Sequence, residues 1–126
     1  MYKRQKQPKA TYCRPEIASI GLTQQQAEEK GYDVKIGKVP FQAIAKAIIV
    51  GEYEGFAKVI ANKDTDETLG IHIIGPHATD LIAEASVALE LEAVPWEIGE
   101  ATHAHPTLSE VLGEAAMAVD GRSINF

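Results

Sequence analysis

The sequence predicts an α+β layer, an antiparallel or mixed sheet with helices packed on one face. Two observations carry this. Residues 55–75, GFAKVIANKDTDETLGIHIIG, place two β-branched, strand-like runs on either side of a polar turn, the pattern of a β-hairpin. Residues 80–93 then place Leu81, Ile82, Ala85, Ala88 and Leu89 on one broad helical face, with alanines small enough for close packing. At 126 residues the chain fits one domain and can bury about two-thirds of its unfolded surface.

The elements follow in order. Residues 11–23, TYCRPEIASIGLT, are extended, with Pro15 confining the strand to Ile17–Leu22. Thr23 and Gln26 form a capping box and Gly31 is a stop, so 24–30 is a short helix. YDVKIGKV, residues 32–39, alternates as a half-buried strand does. AIAKAIIVGE, residues 43–52, fits either a short helix or an irregular lead-in. The hairpin strands span 56–61 and 69–74. Thr79 and Asp80 open the helix at 80–93 with a cap oxygen and a negative charge at the positive dipole end. Pro95 starts a short turn, and a last helix covers 108–119, stopped by Asp120 and Gly121.

Charge is unevenly spread. The net charge is −6, yet residues 1–9 carry Lys3, Arg4, Lys6 and Lys9 and no acid, which reads as a flexible basic arm over 1–10. From Asp64 to Asp120 there are twelve acidic residues and no Lys or Arg. Such a half repels phosphates, so nucleic acid is not an expected partner. It is either a solvated surface or a docking face for a basic partner. No apolar run is long enough for a membrane span, and the polar N-terminus does not read as a signal peptide. The single cysteine, Cys13, excludes an internal disulfide and reads as a small buried apolar residue. His72, within a strand, and His77, after a proline, read as structural, and Trp96 as a packing or interface residue. No GxGxxG or GxxxxGK[ST] loop is present.

The chemistry concentrates in HAHPTLSE, residues 103–110. One reading is purely structural: Thr107 and Glu110 form a capping box for the last helix. The other is catalytic. Pro106 disfavours a helical conformation at His105 and holds its imidazole outside the helix. Glu110, one turn on, can accept a proton from one ring nitrogen, fix the tautomer and make the other nitrogen more basic. The motif contains no nucleophile, metal set or cofactor loop, so as an active site it is half a site.

HAHPTLSE resembles the active-site segment of the pyridine nucleotide–disulfide oxidoreductases, most nearly the dihydrolipoamide-oxidising branch. PEIASIGLT with QAEEKG, KVPF followed by AIAKA, GFAKVIANKDTDETLGIHIIGPHATDLI and the closing GRSINF extend the resemblance over residues 11–126. It implies a C-terminal dimerisation domain with the reductase interface-domain fold. FAD, NAD and a redox-active disulfide would belong to preceding domains, and this chain alone would be inactive. By position in the motif, His105 would be the acid–base residue and Glu110 its orienting partner. The backbone at His105–Pro106 would approach the partner subunit's flavin, and His103 would lie at the substrate channel. The implied partners are a second subunit in a homodimer and the basic subunit-binding domain of a dihydrolipoyl acyltransferase. The implied compartment is the bacterial cytoplasm or the mitochondrial matrix. A glutathione-reductase-like interface domain, or a free-standing dimeric binding module, are the competing readings.

Overall fold

The hairpin at residues 55–75 is the centre of the molecule. In the computed structural model, which describes residues 7–124, five strands form one antiparallel sheet. They are β1 (Lys9–Thr11), β2 (Glu16–Gly21), β3 (Val34–Pro40), β4 (Phe56–Asn62) and β5 (Thr68–Gly75), in the order β1-β2-β5-β4-β3. The helices are α1 (Gln24–Glu29), α2 (Ala45–Val50), α3 (Ala78–Glu90), α4 (Pro95–Glu100) and α5 (Glu110–Ala118), with a 3₁₀ turn at Phe41–Ala43 before α2. The segment that the sequence left open at 43–52 is therefore helical.

Register decides which face is buried. Val59 pairs with Ile71 and Ala57 with Ile73, while Ala18 and Ile20 oppose Ile73 and Ile71 from β2. Side chains alternate along a strand, so all of these point to one face. There they meet Ile82, Ala85 and Leu89 of α3, Ile98 of α4 and Val111, Leu112 and Ala115 of α5, all buried. The other face carries Lys58, His72 and Ile60. A small second core forms there, where Ala27 of α1 meets Ile60 and Leu69. So α3, α4 and α5 share one face as expected, and α1 covers part of the opposite one. A register shift beside Ile60 and Ala61 lets Leu69 join that second core.

Helix α5 lies hard against β3. A Cβ on Gly37 would come within 2.1 Å of the Ala115 carbonyl oxygen and 2.5 Å of the Val119 nitrogen, so only glycine permits the approach. Two polar contacts fix the ends of that packing. Lys35 reaches Asp120 at 2.8 Å and also Asp66 in the hairpin turn, and these carboxylates raise its pKa. Buried Glu114 accepts the Ile124 N–H at 2.8 Å, holding the chain beyond α5.

Several local expectations are corrected. Lys9 and Ala10 belong to the edge strand β1 rather than to an arm, and residues 1–6 lie outside the described residues, as do Asn125 and Phe126 of the closing motif. Thr79 does not cap α3. His77, in a left-handed conformation with φ 57°, stands at the cap. Thr79 instead donates both its N–H (3.0 Å) and its hydroxyl (2.6 Å) to Glu16 on β2. Those bonds hold the Glu16 carboxyl below its ordinary pKa and join α3 to the sheet. Helix α3 stops at Glu90, because Glu92 takes a positive φ of 58° and the chain turns. The Ala93 carbonyl then accepts the Thr68 hydroxyl at 2.7 Å. Residues 95–100 are a helix and not a turn. Pro95 occupies its first position, and Glu97 reaches back to the Val94 N–H at 2.9 Å. Cys13 is exposed rather than buried, its thiol donating to the Pro15 carbonyl at 3.1 Å.

Candidate active-site half

The segment between α4 and α5 is held by side chains rather than by backbone ladders. The His105–Pro106 bond is cis. Thr107 folds back, its hydroxyl donating to the Ala104 carbonyl at 2.5 Å. Glu110 accepts the Thr107 N–H at 3.0 Å. Only half of the expected capping box therefore forms: the glutamate reaches back, and the threonine oxygen is engaged elsewhere.

Glu110 has a second task. Its two carboxylate oxygens lie 2.9 and 3.0 Å from Nδ1 of His105. The glutamate side chain is 16% exposed and the imidazole 69% exposed. The carboxylate is thus the fixed, sheltered member and the ring the presented one. Burial raises the Glu110 pKa. The Thr107 N–H, the His105 hydrogen bond and the charges of His105 and His103 outweigh it and hold the group below its ordinary value. An ionised carboxylate accepts only, so Nδ1 carries the ring proton and Nε2 is the free lone pair. Among the described residues nothing bonds to Nε2. This arrangement can take up and return one proton at Nε2, with Glu110 stabilising the imidazolium.

His103 has a different environment. Its Nε2 lies 2.6 Å from Oε2 of Glu84 on α3, and the side chain is 12% exposed. The Glu84 hydrogen bond raises its pKa against the opposing effect of burial. The ring rests on α5 at Gly113, where a Cβ would come within 2.9 Å of its Cε1 and Nδ1. The structure thus gives each histidine of the motif its own glutamate. Sequence reasoning missed Glu84. The signal was there: Glu84 lies at helical spacing beside Leu81, Ala85 and Ala88, and a carboxylate bordering an apolar stripe needs a partner.

Elsewhere, the His72 Nε2 lies 2.8 Å from the Leu22 carbonyl on the far face of the sheet, and burial lowers its pKa. His77 is exposed, 3.5 Å from Asp80. Neither approaches the motif through any hydrogen bond or ion pair among the described residues. No group of three or more His, Cys, Asp or Glu among the described residues is arranged to hold a metal. No helix among them is long and apolar enough to cross a membrane.

The sequence profile of the pyridine nucleotide-disulphide oxidoreductase dimerisation domain matches residues 7–116. The chain belongs to that family. The dimerisation domain is 56% identical over 119 residues to dihydrolipoyl dehydrogenase of Bacillus subtilis and 44% identical over 121 residues to the mitochondrial dihydrolipoyl dehydrogenase of Pisum sativum. These matches cover 94% and 96% of the chain but only 25% and 24% of the relatives. The dimerisation domain thus spans about a quarter of the length of the proteins it matches. Among solved structures, LpdA from Mycobacterium tuberculosis superposes over 90% of this chain and 25% of its own, with a TM-score of 0.83 and 25% identity. The flavoprotein disulfide reductase RclA from Escherichia coli superposes over 88% of this chain and 26% of its own, with a TM-score of 0.82 at 23% identity, a likeness of fold.

Proposed function

We propose that this chain is the dimerisation domain of a dihydrolipoyl dehydrogenase and supplies an acid–base pair, His105 with Glu110, to the active site of the opposite subunit. The observation that carries the proposal is the sheltered Glu110 carboxylate holding Nδ1 of an exposed imidazole, which leaves Nε2 free. In this reading His105 accepts at Nε2 the thiol proton of a dihydrolipoyl group, and Glu110 stabilises the resulting charge. On the same reading FAD, NAD and the redox-active disulfide would be held outside the quarter of the relatives that this chain spans. The rim at Ala104, His105 and Pro106 is exposed. It suits an edge contact with a flavin held by another chain. The flavin, when bound, supplies the electron transfer. The chain's own residues position the proton acceptor.

Exposed apolar side chains support a subunit contact. Val87 on α3, Leu91 just past its end and Trp96 on α4 are exposed, at 60%, 75% and 49%. The acidic residues of α3 and α4 lie among them, which suits the basic subunit-binding domain of an acyltransferase. Such binding weakens as salt rises, and a salt-independent affinity would remove the electrostatic part. Relatives include bacterial and mitochondrial enzymes, so the bacterial cytoplasm or the mitochondrial matrix is the compartment proposed.

The test is a chimera. Residues 7–126 replace the matching quarter of the Bacillus subtilis relative, and NAD reduction by dihydrolipoamide is assayed. The chimera is expected to turn over and the isolated chain is not. A chimera that folds, dimerises and retains flavin, yet turns over equally well with His105→Gln, would overturn the assignment.

A further inference from the structure

We infer that Glu84, His103 and Gly113 form a positioning device for the His105–Glu110 pair, locking the loop that carries the reactive imidazole to two helices at once. The inference deepens the acid–base reading of His105 and takes its functional meaning from it. Three contacts make the device. The Glu84 carboxylate on α3 holds Nε2 of His103 at 2.6 Å, a shorter contact than either oxygen of Glu110 makes to His105. The His103 ring lies against α5 at Gly113, three residues beyond Glu110, in space that a methyl group would take. The intervening chain has little slack: Ala104 follows directly, its carbonyl held by Thr107, whose own N–H is held by Glu110.

The consequence is geometric. The His105 side chain is 69% exposed, so the place of its ring follows from where its backbone is pinned and from its bond to Glu110. His103 pins that backbone two residues upstream and Glu110 holds the ring from below. An exposed imidazole keeps a single tautomer only while its partner stays in reach, because one carboxylate hydrogen bond must outweigh the intrinsic preference of free imidazole for the Nε2–H form. Burial of His103 is what makes the lock firm, since a loose Glu84 would leave the ring nitrogen sheltered and unpaired. The Glu84 and His103 side chains, with the space left by Gly113, therefore act on the chemistry through His105 and not on substrate directly.

The tautomer gives a readout that a merely stabilising role would not move. Nitrogen NMR on the 126-residue chain reads the Nδ1–H to Nε2–H ratio of His105 in the neutral ring, without flavin, NAD or substrate. In Glu84→Ala this ratio should fall on the order of tenfold, the change one hydrogen bond to a carboxylate sustains. In Glu84→Gln, which keeps a hydrogen-bonding group of the same shape, it should stay near the unsubstituted value. Gly113→Ala, which displaces the ring without removing a polar group, should mix the tautomers as well, and it decides the matter if Glu84→Ala does not fold. An unchanged His105 tautomer in a folded Glu84→Ala or Gly113→Ala chain, with only the melting midpoint lowered, would overturn the inference. Failure of the activity test with an intact tautomer response would instead count against the dihydrolipoyl reading alone.

Discussion

Two histidines of one short loop each pair with a glutamate from a helix, and the two pairs differ in which member is sheltered. His103 with Glu84 is the inner pair. Its ring is 12% exposed, wedged between helices, and its contact is 2.6 Å. His105 with Glu110 is the outer pair. There the imidazole is 69% exposed and the carboxylate is the sheltered partner. Burying the ring turns a histidine–carboxylate pair into a bolt, because the ring nitrogen is spent on the carboxylate and is not presented outward. Burying the carboxylate and presenting the ring would make a tool in the proposed reading, because the free nitrogen stays accessible while its tautomer is held. The residue types are identical; which member is buried decides the role.

The comparison can be broken first at the outer pair. His105→Gln in the chimera should lower turnover by about 10²–10⁴, the usual contribution of a general acid–base group, with the melting midpoint nearly unchanged. Steady-state kinetics beside thermal unfolding would separate the two effects. A variant that lost stability in proportion to activity would make His105 a second bolt.

At the inner pair the balance should reverse. Glu84→Ala leaves a sheltered ring nitrogen without its partner and should cost about 1–3 kcal/mol in chemical denaturation of the chain. Glu110→Gln comes next in size. It can keep the Thr107 N–H bond, so its stability cost should be near that of a weakened cap, about 1 kcal/mol or less, while turnover falls by less than in His105→Gln. A Glu110→Gln cost above that of Glu84→Ala would invert the assignment of bolt and tool.

The smallest effect is a pH dependence, and its sign separates the inner pair from the histidine on the far face of the sheet. The His103 pKa is raised in the folded state from an ordinary 6.5. Its pairing therefore contributes fully below 6.5, and that contribution is lost as pH rises through the higher folded value. For His72 the folded value is lowered by burial, so the folded state resists its protonation. Stability from that group is lost as pH falls from 6.5 toward the lower folded value. Denaturation midpoints measured across this range should show His103→Gln flattening the alkaline side and His72→Gln the acidic side. The same slope change from both variants would contradict the opposed environments.

Much of the fold was legible in sequence because its signals are local. The hairpin at 55–75, the capping box of Thr23 and Gln26 and the apolar stripe from Leu81 to Leu89 each sit within one window of chain, and each forms. The errors fell where a distant partner outbid a local preference. Thr79 has the chemistry of a cap, but Glu16 on β2 offers its hydroxyl a carboxylate. Thr107 likewise has the spacing of a cap, but its hydroxyl turns to Ala104. Lys9 and Ala10 look like a tail until β2 supplies an edge to pair with.

The sequence by itself determined the hairpin at 55–75, the alternating strand β3, the helices α1, α3 and α5, and the placing of His105 and Glu110 in one motif, five residues apart. They meet because the chain folds back just before α5, where Glu110 also holds the Thr107 N–H. Only the tertiary structure decided that α1 covers the far face of the sheet, that Gly37 admits α5 against β3, and that Glu84 reaches His103 from 19 residues away. Those contacts depend on how layers stack. Pairing across layers is set by the summed burial of a whole face, which no short window of residues contains.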